Sequence, residues 1–205
     1  MLGQAVQRAG LAAYALLARS GVMRIPLVRR AFHAAYEIYK ERVEAGPVDT
    51  LRRFVPVGST VVDIGANVGF FTVRLADWVG PAGRVIAVEP EAENITALRK
   101  RLVDGGLASR VELHEAVAAE TAGTLRLEIN EVHPGDHKIS TNGSGPEIKA
   151  LTIDGLVGER GNVSLVKIDV QGAEMRVLEG SMRTLQQMPA LFIELDRGAL
   201  ARFGS

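Results

Sequence analysis

The segment Val61-Val62-Asp63-Ile64-Gly65-Ala66-Asn67-Val68-Gly69-Phe70-Phe71-Thr72 restricts the fold more than any other part of this chain. An apolar, β-branched run reads as a buried strand, the glycines mark a turn, and the residues that follow have helical spacing. In doubly wound sheets, ligands bind outside the carboxyl ends of the strands, where such a turn lies. Glycine at 65 and 69 would let backbone approach a ligand with no Cβ in the way, and Asp63 would accept hydrogen bonds from an ammonium group. The segment therefore predicts a site for a cofactor with an amino-acid portion.

The same alternation continues along the chain. Short runs rich in valine and isoleucine predict parallel strands at residues 60–64, 84–88, 111–116, 164–169 and 190–195. Helical spacing predicts helices at 69–78, 92–104 and 173–187. Strands that are apolar throughout and alternate with helices imply an α/β, Rossmann-like sandwich, a mostly parallel sheet with helices on both faces. Residues 123–130 and 147–153 alternate as strands and predict an antiparallel pair. The polar, glycine-rich loop between them, with His133 and His137, is expected to be exposed and mobile.

A chain of 205 residues suffices for one such domain. With 24 basic and 24 acidic residues it carries no global field toward nucleic acid, and no nucleic-acid partner is expected. The lack of cysteine excludes disulfides, thiolate metal sites and cysteine nucleophiles, and fits a cytoplasmic protein. The first 36 residues contain Arg8, Arg19, Arg24, Arg29 and Arg30 and no acid. Their apolar stretch is shorter than the roughly 20 residues of a membrane span. Residues 1–46 are expected to form a helical extension, either a cap on the core or a basic amphipathic helix on an anionic membrane. Residues 47–205 form the main domain.

Glu89 follows the second strand, where a Rossmann-type site places an acid that accepts hydrogen bonds from ribose hydroxyls. A nicotinamide dinucleotide would use the same strand, turn and acid. Its pyrophosphate requires G-x-G-x-x-G, and here Asn67 and Phe70 stand where the second and third glycines belong.

With Ala87-Val88-Glu89-Pro90, Leu151-Thr152-Ile153-Asp154-Gly155-Leu156, Val166-Lys167-Ile168-Asp169-Val170-Gln171-Gly172-Ala173-Glu174 and Phe192-Ile193-Glu194-Leu195-Asp196, the chain resembles the FkbM-type methyltransferase family. The resemblance implies a class I methyltransferase that binds S-adenosylmethionine and methylates a hydroxyl of a sugar, glycan or natural product. It implies that Asp63, Gly65, Asn67 and Gly69 surround the methionine portion and that Glu89 holds the ribose. Ala116 and Val117 would lie near the adenine, with Phe70 and Pro90 among the flanking cofactor-binding residues. Two departures stand out. Gln171 replaces the glutamate of the family's Asp-Val-Glu-Gly motif, and the chain stops nine residues after Asp196, short of the C-terminal helix and hairpin of class I enzymes.

An alcohol nucleophile must lose its proton, which calls for a general base or a metal. Asp169, at the end of the fourth strand, is the leading candidate for either role. Glu194 and Asp196 are its companions for a magnesium ion. Glu174 and His137 complete the catalytic candidates, with His133 beside the latter. An open fifth-strand edge favours a homodimer. The rival reading is a non-catalytic binding or assembly module that uses its basic N-terminal segment at a membrane.

Overall fold

Five parallel strands form the frame: β1 (Thr60–Ile64), β2 (Arg84–Glu89), β3 (Val111–Glu115), β8 (Val163–Ile168) and β9 (Ala190–Ile193). The computed structural model describes residue 28 and residues 48–128, 138–140, 143–159, 161–170 and 172–194. The chain divides into two units, residues 1–51 and 52–205, and all elements named here lie in the second. The expected N-terminal extension, apart from Val28, lies outside the described residues.

The strand order is β3-β2-β1-β8-β9. Chain order therefore reverses between β1 and β8, and the carboxyl ends of these strands border the crevice where ligands of such sheets bind. Val61, Val62, Ile64, Leu165, Val166 and Ile168 are at most 1% exposed, as expected for strands covered on both faces. Helix α1 (Phe70–Val79) returns the chain from β1 and helix α2 (Ala92–Asp104) from β2.

A second sheet has the order β4-β7-β5-β6, from β4 (Val117–Ala118), β5 (Gly123–Glu128), β6 (Lys138–Ile139) and β7 (Glu147–Leu151). The expected antiparallel pair is β5 with β7. β4 runs parallel to β7, and β6 pairs antiparallel with β5 within the segment expected to be an open loop.

Residues 173–187 do not form one helix. They divide into α4 (Glu174–Glu179) and α5 (Met182–Leu185). A Cβ on Gly180 would lie 2.1 Å from the Ala119 carbonyl oxygen, so the chain passes too close to the β4 segment for a side chain there. The Ser181 hydroxyl donates to the Leu178 carbonyl at 2.7 Å, which closes the first helix at the break.

The break leaves the first amides of α5 without helical partners, and Asp154 of α3 (Ile153–Val157) supplies them. Its carboxylate accepts from the Arg183 amide at 2.9 Å, the Thr184 amide at 2.8 Å and the Thr184 hydroxyl at 2.8 Å. Thr152 caps α3 itself by accepting from the Gly155 amide at 2.9 Å. The Leu151–Leu156 motif thus secures two helix starts rather than carrying chemistry.

Burial pushes the Asp154 carboxyl up, but the amides of Arg183 and Thr184, the Thr184 hydroxyl and the Arg183 charge outweigh it, leaving it below 3.8. A depressed folded-state value contributes stability above pH 3.8, lost as pH falls through the lower folded value. Asp154→Ala is expected to cost about 1 kcal/mol at neutral pH by chemical denaturation. The gap to wild type should narrow as pH drops below 3.8; a gap independent of acid would remove the carboxylate from this role.

Candidate functional site

The turn between β1 and α1 is pinned onto β2. The amides of Gly65 and Ala66 both donate to the Val88 carbonyl, each at 3.0 Å. Gly65, Asn67 and Gly69 have φ values of 76°, 50° and 95°. Glycine adopts this region freely, and asparagine is among the side chains that tolerate it.

A Cβ on Gly65 would lie 1.9 Å from the Asp169 carbonyl oxygen, and one on Gly69 would lie 2.3 Å from Leu98 Cδ1. The space they free is filled by the protein. Gly65 lets the loop after β8 close onto the turn, and Gly69 lets α2 close onto the start of α1.

Glu89 sits at the end of β2, 5% exposed. Its Oε2 accepts from the Asn67 amide at 2.8 Å, and its Oε1 accepts from the Glu91 amide at 3.1 Å and from Asn94 Nδ2 at 3.0 Å. The structure therefore brings the turn and the second-strand acid together. A carboxylate offers about four acceptor positions, so these three donors leave room for a ligand hydroxyl. Burial raises the Glu89 carboxyl above 4.5, against the lowering effect of Asn94 and the amides of Asn67 and Glu91. Asn94, which the sequence did not single out, also donates to Glu91 Oε2 at 3.0 Å and so orients both acids.

Asp63, expected to meet an ammonium group, is 0% exposed, and its described partners are protein groups. Its Oδ2 accepts from the Thr72 hydroxyl at 2.6 Å, and its Oδ1 lies 3.1 Å from Lys167 Nζ. The strand register sets Asp63 directly opposite Lys167. The lysine, 1% exposed, also donates to the Gly65 carbonyl at 2.7 Å and the Ile64 carbonyl at 3.3 Å. The ring of Phe71 lies 5.0 Å away. Sequence reasoning missed Lys167, although a lone cation inside an apolar strand was the available signal.

Asp169 stands beyond Lys167, its Oδ2 3.8 Å from Nζ and its side chain 20% exposed. Its amide donates to the Ile64 carbonyl at 3.0 Å, so the ends of β1 and β8 meet at backbone level too. Glu174 lies elsewhere: it is 1% exposed, and its Oε1 turns back to accept from the Gly172 amide at 2.8 Å. Its other oxygen, Oε2, is buried with no hydrogen-bond partner among the described residues. Phe70 is 4% exposed, with the Arg74 guanidinium 4.2 Å above its ring, and Pro90 is half-buried. Ala116 and Val117 are buried, and the Ala116 amide donates to the Glu89 carbonyl at 3.2 Å, beside the acid.

Glu194 is exposed, and its amide donates to the Ile168 carbonyl at 3.0 Å. His133, His137, Gln171 and Asp196 lie outside the described residues. Among the described residues no group of three or more acids and histidines is placed to hold a metal ion.

Residues 63–203 match the model of the methyltransferase FkbM domain. Hexuronic acid methyltransferase AglP of Haloferax volcanii is 26% identical over 194 residues, covering 88% of this chain and 78% of AglP. Catechol O-methyltransferase of Mycobacterium tuberculosis is 38% identical over 65 residues, covering 32% of this chain and 30% of its own. A crystal structure of methyltransferase FkbM from Methylobacillus flagellatus KT is 26% identical and covers 66% of this chain and 32% of that one, with a TM-score of 0.46. The chain thus spans most of AglP and about a third of the other two.

Two measurements check the site's construction. Gly58 and Gly65 both have positive φ, but a Cβ on Gly58 meets nothing within 4 Å. Gly65→Ala should therefore destabilise the protein more than Gly58→Ala, by a further ~1–3 kcal/mol of overpacking in denaturant unfolding. Equal losses would mean that Asp169 yields without cost. For Glu89, a raised folded-state value means its contribution to stability is present below pH 4.5 and lost as pH rises through the folded value. The carboxyl carbon of Glu89, followed by NMR, should titrate with a midpoint above 4.5; a midpoint below it would contradict the dominance of burial.

Proposed function

Because the chain belongs to the FkbM methyltransferase family, we propose that it methylates a hydroxyl group of a sugar. It is an S-adenosylmethionine-dependent methyltransferase, and the acceptor is the part we infer. Similarity to a hexuronic acid methyltransferase over 88% of the chain supports a sugar acceptor. The observation that carries the site assignment is the Asn67 amide on Glu89 Oε2 at 2.8 Å, which joins the glycine turn to the acid at the strand-order reversal.

The residues present suit the cofactor. Glu89 is a buried carboxylate with acceptor capacity left for a ribose hydroxyl, and Asn67 is exposed at the turn beside it. S-adenosylmethionine, when bound, supplies the electrophilic methyl carbon, so the protein's work is to hold cofactor and acceptor in line and to receive a proton. Glu89 and the Asn67 turn hold the cofactor end. Asp169, partly open at the adjoining strand end, is the group we assign to the hydroxyl proton. Thr72 and Lys167 hold Asp63, which fixes the turn from below.

Among the described residues no group of three or more acids and histidines is placed to hold a magnesium ion, and no step is assigned to a metal. Contact of the arginine-rich N-terminal segment with an anionic membrane belongs to the proposal on charge alone.

The test has two stages. Isothermal titration should show S-adenosylmethionine binding to wild type and weaker binding to Glu89→Ala, with no heat from NAD. Methyl-labelled cofactor should then label a panel of sugars that includes free and glycosidic hexuronic acids. Asp169→Asn should lose about 10²–10⁴-fold in kcat, the usual range for a general base. Labelling of phenols or catechols alone would overturn the sugar assignment.

A further inference from the structure

Three ionisable side chains meet at the junction of the cofactor turn and the end of β8: Asp63, Lys167 and Asp169. Lys167 Nζ lies 3.1 Å from Asp63 Oδ1 and 3.8 Å from Asp169 Oδ2. The side chains of Asp63 and Lys167 are 0% and 2% exposed, whereas that of Asp169 is 20% exposed. The carbonyl oxygens of Gly65 and Ile64 take further hydrogens of the ammonium.

An ammonium has three hydrogens and one unit of charge. Here its nearest oxygens are two carbonyls and a fully buried carboxylate. Asp63 is the nearer carboxylate and Asp169 shares the same ammonium at longer range, so one lysine faces two acids. The cluster carries one net negative charge, displayed at the only member that reaches the surface.

We propose that this cluster makes the site selective for the sulfonium cofactor over its neutral thioether product, with Asp63 setting the selectivity through Lys167 without touching either ligand. The inference rests on the cofactor site assigned above. S-adenosylmethionine carries one positive charge at sulfur that S-adenosylhomocysteine lacks, and the two are otherwise alike apart from the methyl group. A net negative charge beside the sulfur favours the first. It also promotes release of the second, since methyl transfer removes the charge that the cluster attracts. The resting charge of the site thereby opposes product inhibition. Glu89, which faces the ribose portion shared by both ligands, contributes little to the distinction.

Titration calorimetry with S-adenosylmethionine and S-adenosylhomocysteine on the full chain tests this, read as the ratio of the two dissociation constants. Wild type should favour S-adenosylmethionine. Asp169→Asn, a change at a partly exposed side chain, should reduce that preference by about tenfold, the scale on which a single neighbouring charge shifts a charged group. Asp63→Asn leaves Lys167 free to neutralise Asp169 and should reduce the preference in the same direction. General damage to the site weakens both ligands together and leaves the ratio where it was. Thermal melts establish that each variant is folded, and where Asp63→Asn does not fold, Asp169→Asn decides alone.

An unchanged ratio in Asp169→Asn, or a wild type that binds both ligands equally, would overturn the charge-selection proposal while leaving the cofactor assignment standing. Failure of wild type to bind either ligand would overturn the cofactor assignment itself, and this inference with it.

Discussion

A buried ion pair between adjacent parallel strands holds the site together. Asp63 on β1 and Lys167 on β8 face one another in register, both sealed from solvent. Removing the lysine would strand the Asp63 charge in the core, at a cost of about 3–5 kcal/mol. The pair also reaches further than its own strands. Asp63 holds the first turn of α1 through Thr72, and Lys167 holds the turn after β1 through the Ile64 and Gly65 carbonyls. Those two contacts set the exit of the chain from β1, and so where the turn stands relative to the neighbouring strand ends. An apolar pair would fill the space equally well, but it would leave the Gly65 carbonyl without its ammonium donor.

Around that pair the site is an interlock of backbone. Gly65 fits against the Asp169 carbonyl, Gly69 against Leu98, and the amides of Gly65 and Ala66 share the Val88 carbonyl. Each of these contacts is made within the protein itself. Glu89 shows the balance of costs. Burial works against its ionised form, and three protein donors offset that cost without removing it. The neighbouring elements supply what the acid lacks, with Asn94 reaching in from α2 and the Asn67 amide from the turn.

Much of the architecture was legible because local pattern and global fold agree. β1 and α2 run as their periodicity predicts, and the other parallel strands differ by a residue or two at their ends. What escaped prediction depends on contacts between distant residues. The helical spacing of residues 173–187 is real, but the approach of Gly180 to the Ala119 carbonyl divides the segment, and no local signal reports a neighbour 61 positions away. The pairing of β4 with β7 and of β6 with β5 rests on strands of two residues, too short to leave a period. In the site, Glu89 and the turn were readable from spacing. The buried state of Asp63 and Glu174 was not, since an acid at a strand end or helix start reads equally well as exposed.

Lys167 explains why the roles of the motif residues were harder to read than their positions. A motif marks residues that the fold uses together, and here many of those uses are internal. Thr152 and Asp154 begin helices, Gly69 admits Leu98, and Asp63 neutralises a lysine. Asn67, Glu89, Asp169 and Glu194 are the described motif residues that combine a polar group with a position at the carboxyl ends of the parallel strands. Likeness to a family therefore transfers the scaffold, because these internal contacts build it. The acceptor end depends on what lines the space beyond Asp169, and the resemblance between motifs carries little of that chemistry.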